Sequence, residues 1–220
     1  MRPRVLGVTL ATVAIACADG SDAPPPAASL VREGARPTIM RVGDLDGGGG
    51  PEVVVASVAG EAGGLGTPHL EIFRRRGTAW PRVFDATGHA PPGPPETPSE
   101  MLAAGPGFVA QSVHMLELVD FRAGGTPEVV AAIASAGATA GPVELWILSM
   151  DQAGGLRTEF YEGTERGGEV VVHGDRLTFR FPVYRAGDPG CCPSRIETQE
   201  IGHDPAEGRI VVLERDRART

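Results

Sequence analysis

The stretch Val42–Ala56 (VGDLDGGGGPEVVVA) realigns 76 residues further on with Leu118–Ala132 (LVDFRAGGTPEVVAA). Each copy runs from the end of an apolar segment through an aspartate, a glycine-rich turn and Pro-Glu into a valine-rich segment. Similarity at a fixed spacing is the mark of supersecondary units that stack on one another, because one such unit cannot bury its own apolar face. The chain must therefore build its core by layering copies of a small sheet.

The segments that follow each copy support this. HLEIFR (69–74) and WPRVFD (80–85) come after the first, and VELWIL (143–148) and LRTEFYE (156–162) after the second. HLEIFR and VELWIL alternate with period two, as half-buried strands do. Further strands are expected over 169–173, 177–184, 195–201 and 209–214, separated by His173-Gly174-Asp175, Asp188-Pro189-Gly190 and Glu207-Gly208. The sequence contains 31 glycines and 20 prolines, near double the usual shares, which favours short elements and many turns over long helices. The expected fold is all-β, made of repeated antiparallel four-stranded units in an open or partial propeller-like stack. Repeat-like units span about 37–90 and 113–165, and a C-terminal meander 166–215 completes a single β-rich domain over 31–220. Three such units are fewer than the roughly four to eight blades of a closed propeller. A proline-rich loop is expected over 90–98, and a short helix over 99–104 with Ser99 as its cap.

GDLDGGGGPEVVVAS resembles the loop of FG-GAP/VCBS repeats, the units of integrin-type β-propellers, whose pattern is D-x-D-x-D-G-x-x-D/E. That resemblance implies a calcium ion held between two strands, since calcium takes six to eight oxygens and alternate carboxylates on a tight loop can converge on it. Asp44, Asp46 and Glu52 stand at the first, third and ninth positions, and Gly50 could supply a carbonyl at the seventh. Gly48 departs from the pattern where a further carboxylate or amide is expected. The loop is thus either a degraded calcium site or an Asx-type turn without metal. In the second copy Asp120 and Glu128 persist, but Arg122 puts a cation where a ligand should be, and no ion is expected there. Neither loop is a phosphate cradle, since no Lys-Ser/Thr follows and a strand comes next.

At the N-terminus, Arg2 and Arg4 precede the apolar run Val5–Ala16 and then Cys17. A basic region, a short apolar stretch and small residues before a cleavage point form an export signal, expected over 1–16. Twelve residues reach only about 18 Å as a helix against roughly 30 Å of hydrocarbon, too short for a permanent anchor. Val13-Ala14-Ile15-Ala16-Cys17 resembles the lipobox of bacterial lipoproteins, which implies acylation of Cys17. Ordinary cleavage at one of the two A-x-A sites is the alternative. The small, polar, proline-rich residues after it predict a disordered tether over 17–30 that holds the domain off a membrane.

The net charge is −8, and all 20 basic residues are arginine. An acidic chain repels phosphate backbones, so no nucleic-acid partner is expected. Arg74-Arg75-Arg76 reads as a solvated turn at the end of a strand.

Cys191 and Cys192 are adjacent. Neighbouring α-carbons lie about 3.8 Å apart, below the range of about 4.4–6.8 Å for ordinary disulfides, so a vicinal bond would strain the peptide and reduce easily. The pair is read as a vicinal disulfide or free thiols stiffening a loop, with a redox or soft-metal role as the alternative. Phe181-Pro182-Val183-Tyr184, Gly187-Asp188 and Cys191-Cys192-Pro193-Ser194 are together similar to a C-terminal segment of LppP/LprE-type lipoproteins, which implies location more than chemistry.

The five histidines (69, 89, 114, 173 and 203) show no metal-ligand spacing, and no G-x-S-x-G elbow is present. No catalytic residue is nominated. Trp80, Trp146 and Tyr161 read as core or sheet-face anchors. The expectation is a non-catalytic lipoprotein of the bacterial cell envelope, anchored through its lipid and serving interaction or structural support with a protein or glycan partner. The alternatives are a periplasmic hydrolase or accessory subunit with an unrecognised site, or a thiol sensor using Cys191 and Cys192.

Overall fold

The period-two segments form strands because alternate residues can then face opposite apolar layers. The computed structural model describes residues 23–60, 66–87, 111–135, 141–164, 166–189 and 192–219. The export segment, Cys17, the stretch 90–98, the helix expected over 99–104 and Cys191 lie outside them.

The protein is all-β, with three four-stranded antiparallel sheets. The first contains β1 (Ala35–Gly43), β2 (Glu52–Ala59), β3 (Thr67–Arg74) and β4 (Arg82–Thr87). The second contains β5 (Gln111–Val119), β6 (Glu128–Ser135), β7 (Val143–Met150) and β8 (Leu156–Gly163). The third contains β9 (Glu169–His173), β10 (Arg176–Val183), β11 (Arg195–Asp204) and β12 (Arg209–Arg219). Each sheet is a meander in chain order.

The sheets stack with the second in the middle. Val54, Ala56, Leu70 and Ile72 of the first sheet meet Val129, Ala131, Trp146 and Leu148 of the second in one core layer. The other face of the second sheet, through Val130, Leu145 and Ile147, meets Leu177, Phe179 and Ile201 of the third. β7 is buried on both faces, as is β3, so VELWIL and HLEIFR are not the half-buried strands expected: each lies between two layers, and VELWIL is apolar apart from Glu144. Its one charged residue is positioned: Glu144 Oε2 accepts the Trp146 indole N–H at 3.2 Å, and the Trp146 ring lies 4.3 Å from that of Tyr161. The outward face of the third sheet presents Arg176, Thr178, Arg180 and Glu200 to solvent, together with the exposed Val171 and Leu213.

The duplication reaches further in the structure than in the sequence. β1 shifts register between Pro37 and Ile39, and β5 between Val113 and Met115, at equivalent positions of the two copies. Between these strands Arg41 Nε and Nη2 donate to Glu117 Oε2 and Oε1 at 3.0 and 2.6 Å. Arg41 and Glu117 are also equivalent positions, so the two units meet side by side.

Three expectations need correction. The strand expected over 80–85 begins at Arg82, because Pro81 has no N–H for the ladder and its carbonyl instead accepts from the Arg74 N–H at 3.1 Å. The last strand runs on to Arg219, with Glu197 of β11 drawing in Arg215 and Arg217. The tether was expected to stay disordered to residue 30. Ala27–Leu30 is instead one turn of helix, α1, and Ala27, Leu30 and Val31 pack on Val53, Val55 and Phe73 of the first sheet's outer face.

Candidate functional site

The two repeat loops, Asp44–Pro51 and Asp120–Pro127, are built alike. The Glu52 carboxylate, at the start of β2, accepts the Leu45 N–H at 2.8 Å, and Glu128, at the start of β6, accepts the Phe121 N–H at 3.2 Å. Asp44 Oδ2 accepts the Gly49 N–H at 2.8 Å, while Asp120 accepts the N–H groups of Gly124 and Gly125 at 3.0 and 2.6 Å. Gly49 and Gly125 sit at φ +79° and +81°, where any side chain would be strained. These bonds turn the chain so that the apolar residue after each aspartate points inward. Leu45 is 1 % exposed and lies in the core between the first and second sheets. Phe121 is 3 % exposed and lies in the core between the second and third. Each loop thus drives a plug into the interface with the next sheet.

The acidic residues gather as their spacing demands. Asp44, Asp46 and Glu52 each bring a carboxylate oxygen within 4.8 Å of the other two. A cation is already among them. Arg74, from the end of β3, places Nη2 at 2.6 Å from Asp46 Oδ2 and Nε at 3.0 Å from Glu52 Oε1. Its register opposite Glu52 across the β2–β3 ladder fixes this placement. Gly48, where the calcium pattern asks for a ligand, donates its N–H to Asp46 Oδ1 at 2.8 Å. Asp44 Oδ1 is the one carboxylate oxygen here that is buried without a hydrogen bond. One open oxygen beside a guanidinium falls far short of six to eight donors. The residues as arranged do not fit a calcium ion, and no ion pair or hydrogen bond brings Gly50 to the cluster.

The second loop reaches the same result by another route. Arg122, within the loop, pairs with Glu128, and its Nη2 lies 2.8 Å from Glu159 Oε2. Glu159 also accepts from Ser149 Oγ at 2.6 Å and from Arg157 Nε at 2.8 Å. These pairs hold its carboxyl below the usual range against the opposing effect of burial, which is the largest single influence on it. Arg74 stood in a run that read as a solvated turn, so its part in the first loop was missed. The signal that could have found it is the offset between Glu52 and Arg74 in two strands joined by a hairpin.

Between the loops and the β7–β8 hairpin lies a cleft of about 470 Å³, lined by Leu45, Arg122, Thr126, Ser149, Asp151 and Arg157 among others. Arg74 also contacts the β7–β8 hairpin, with Nη1 3.5 Å from the Gln152 carbonyl. Cys192 is exposed, and its N–H donates to the Pro189 carbonyl at 3.0 Å. The vicinal pairing falls on Cys191, outside the described residues. His69 and His114 are held below the ordinary imidazole range, chiefly by burial, and lie on β3 and β5 in separate sheets. No protein-family model matches this chain, and no curated protein matches it.

Proposed function

We propose that the chain is an envelope lipoprotein, anchored through Cys17, whose β-rich body is a non-catalytic module for structural support and protein or glycan contact. The observation that carries this reading is the use made of the two loops. Their carboxylates are spent on backbone N–H groups and guanidiniums, and their apolar residues on the joints between sheets. Groups consumed in this way hold a scaffold rigid without an ion. The degraded FG-GAP/VCBS pattern is then a structural remnant in which arginine has taken the place of calcium. The cleft between the loops is the surface offered to a partner, with Arg157 (76 % side-chain exposure) at its rim.

Metabolic labelling with an alkyne fatty acid tests the anchor: label on the wild type and none on Cys17→Ala is expected, and equal label on both overturns it. A photoreactive residue placed at Arg157 and, separately, at Leu213 of the third sheet tests the cleft. A discrete adduct in intact cells from position 157 alone supports the reading. No adduct, or the same adduct from both positions, removes it.

A further inference from the structure

A second cleft, of about 390 Å³, opens in the third sheet far along the chain from the repeat loops, and three of its four lining residues are arginines: Arg185, Ser194, Arg195 and Arg217. This is unusual for a chain of net charge −8. The placement follows from the register. Arg195 and Glu197 lie two apart on β11, and Glu197 faces Arg217 on β12, so all three project from one face of the sheet. Glu197 is 4 % exposed and receives Arg217 Nε and Arg215 Nε, both at 3.2 Å. One carboxylate therefore serves two guanidiniums. Arg185 lies within electrostatic reach of the Asp188 carboxylate, whereas Arg195 has no ion pair among the described residues and its Nε is buried with no hydrogen-bond partner. A buried N–H of a charged group without an acceptor is costly to leave so.

The loop that brings Arg185 to the cleft is tied at both ends to one residue. Asp188 accepts the Arg185 N–H at 2.7 Å and the Ser194 N–H at 2.9 Å, and the Ser194 hydroxyl donates to it at 2.6 Å. These bonds, led by the one from Arg185, hold the Asp188 carboxyl below its ordinary range. The serine proton is committed, so the donors left facing the cleft are guanidiniums.

We infer that this cleft is a binding site for a phosphoryl oxyanion. Planar guanidiniums offer paired N–H groups that match phosphate oxygens, and converging forks favour a dianionic phosphomonoester over a singly charged carboxylate. The volume exceeds that of a bare phosphate and falls at the lower end of small-ligand sites, which leaves room for the group that carries it.

Titration calorimetry on the full-length chain, purified in detergent, tests this with phenyl phosphate as the probe and benzoate of the same ring size as the carboxylate control. Phenyl phosphate should bind, with benzoate weaker by roughly tenfold or more. Arg195→Gln should weaken phenyl phosphate by about tenfold or more, while Arg180→Gln, on the opposite face of the sheet, should leave it unchanged. Arg185→Gln, an exposed loop position, repeats the test without touching the sheet, and circular dichroism checks that each variant is folded. Glycerol 3-phosphate against inorganic phosphate separates two sources: tighter binding of the former assigns the phosphomonoester headgroup of phosphatidic acid, and equal or weaker binding a free phosphate. No heat with phenyl phosphate at about 10 mM, equal affinity for benzoate, or equal loss in Arg195→Gln and Arg180→Gln would overturn the site.

Discussion

Replacing Arg74 with methionine keeps an unbranched stem out to about the position of Nε and removes the guanidinium with its charge. In the wild type the guanidinium is bonded to Asp46 at 2.6 Å and to Glu52 at 3.0 Å, with side-chain exposures of 17 %, 10 % and 2 % for the three residues. Breaking a buried pair by deleting one partner costs about 3–5 kcal/mol, and the partial exposure of Arg74 and Asp46 argues for the lower end, about 3 kcal/mol. In a domain of this size each kcal/mol moves the melting temperature by roughly 2–4 °C, so a fall of about 6–12 °C is expected. Differential scanning calorimetry reads it. The variant also leaves three carboxylates with no cation, and millimolar calcium should then raise its melting temperature while leaving the wild type unmoved. Arg74→Met combined with Glu52→Gln should recover part of the loss, because the buried charge goes with its partner. If calcium stabilises the wild type, or if Arg74→Met melts within a degree or so of it, the idea that arginine stands in for the ion is wrong.

Two further outcomes test the stacked core. Tyr161 is pushed up to about 12 by burial, with Glu144 and Glu162 adding to the effect. Its folded value lies above the ordinary phenol value of 10.0, so its contribution is complete below pH 10 and is lost as pH rises through about 12. Ultraviolet titration of tyrosinate should show a late phase near 12 that Tyr161→Phe abolishes; a phase near 10 from this residue would refute its burial. Gly168 precedes β9, and a Cβ there would meet Phe179 Cε2 at 2.9 Å and Val143 Cβ at 3.3 Å. Gly168→Ala should cost about 1–3 kcal/mol by overpacking the joint between the second and third sheets, read by urea unfolding.

Most of the strand pattern was legible because alternation and turn residues are local. HLEIFR lies within β3 (Thr67–Arg74) and VELWIL within β7 (Val143–Met150). The first start of the loop bonds was legible too, since an aspartate before glycines is a turn by itself. What escaped depends on register. Arg74 meets Glu52 only because the β2–β3 hairpin sets them opposite, and a shift of one residue would have turned Arg74 to the other face. The turn of helix at Ala27–Leu30 escaped for a related reason. Its alanine and leucine are too few to show periodicity, and they are ordered by the outer face of the first sheet, which local sequence does not describe.

The equivalence of the two loops carries into the joints between the sheets. Two loops carry a plug, Leu45 and Phe121, and there are two joints between sheets for them to fill. Burying such a side chain is worth about 1.5–3 kcal/mol, enough to matter at each joint. In the third sheet the corresponding turn, from β9 to β10, is the tight His173-Gly174-Asp175-Arg176 hairpin with no residue to spare for a plug. Its outer face carries Arg176 and Glu200 beside the exposed Val171 and Leu213. The arginines that neutralise the loops come from different places, the end of β3 in one and the loop itself in the other. Two positions converging on one electrostatic role imply that the role, holding the glutamate that holds the plug, is what the loops have kept.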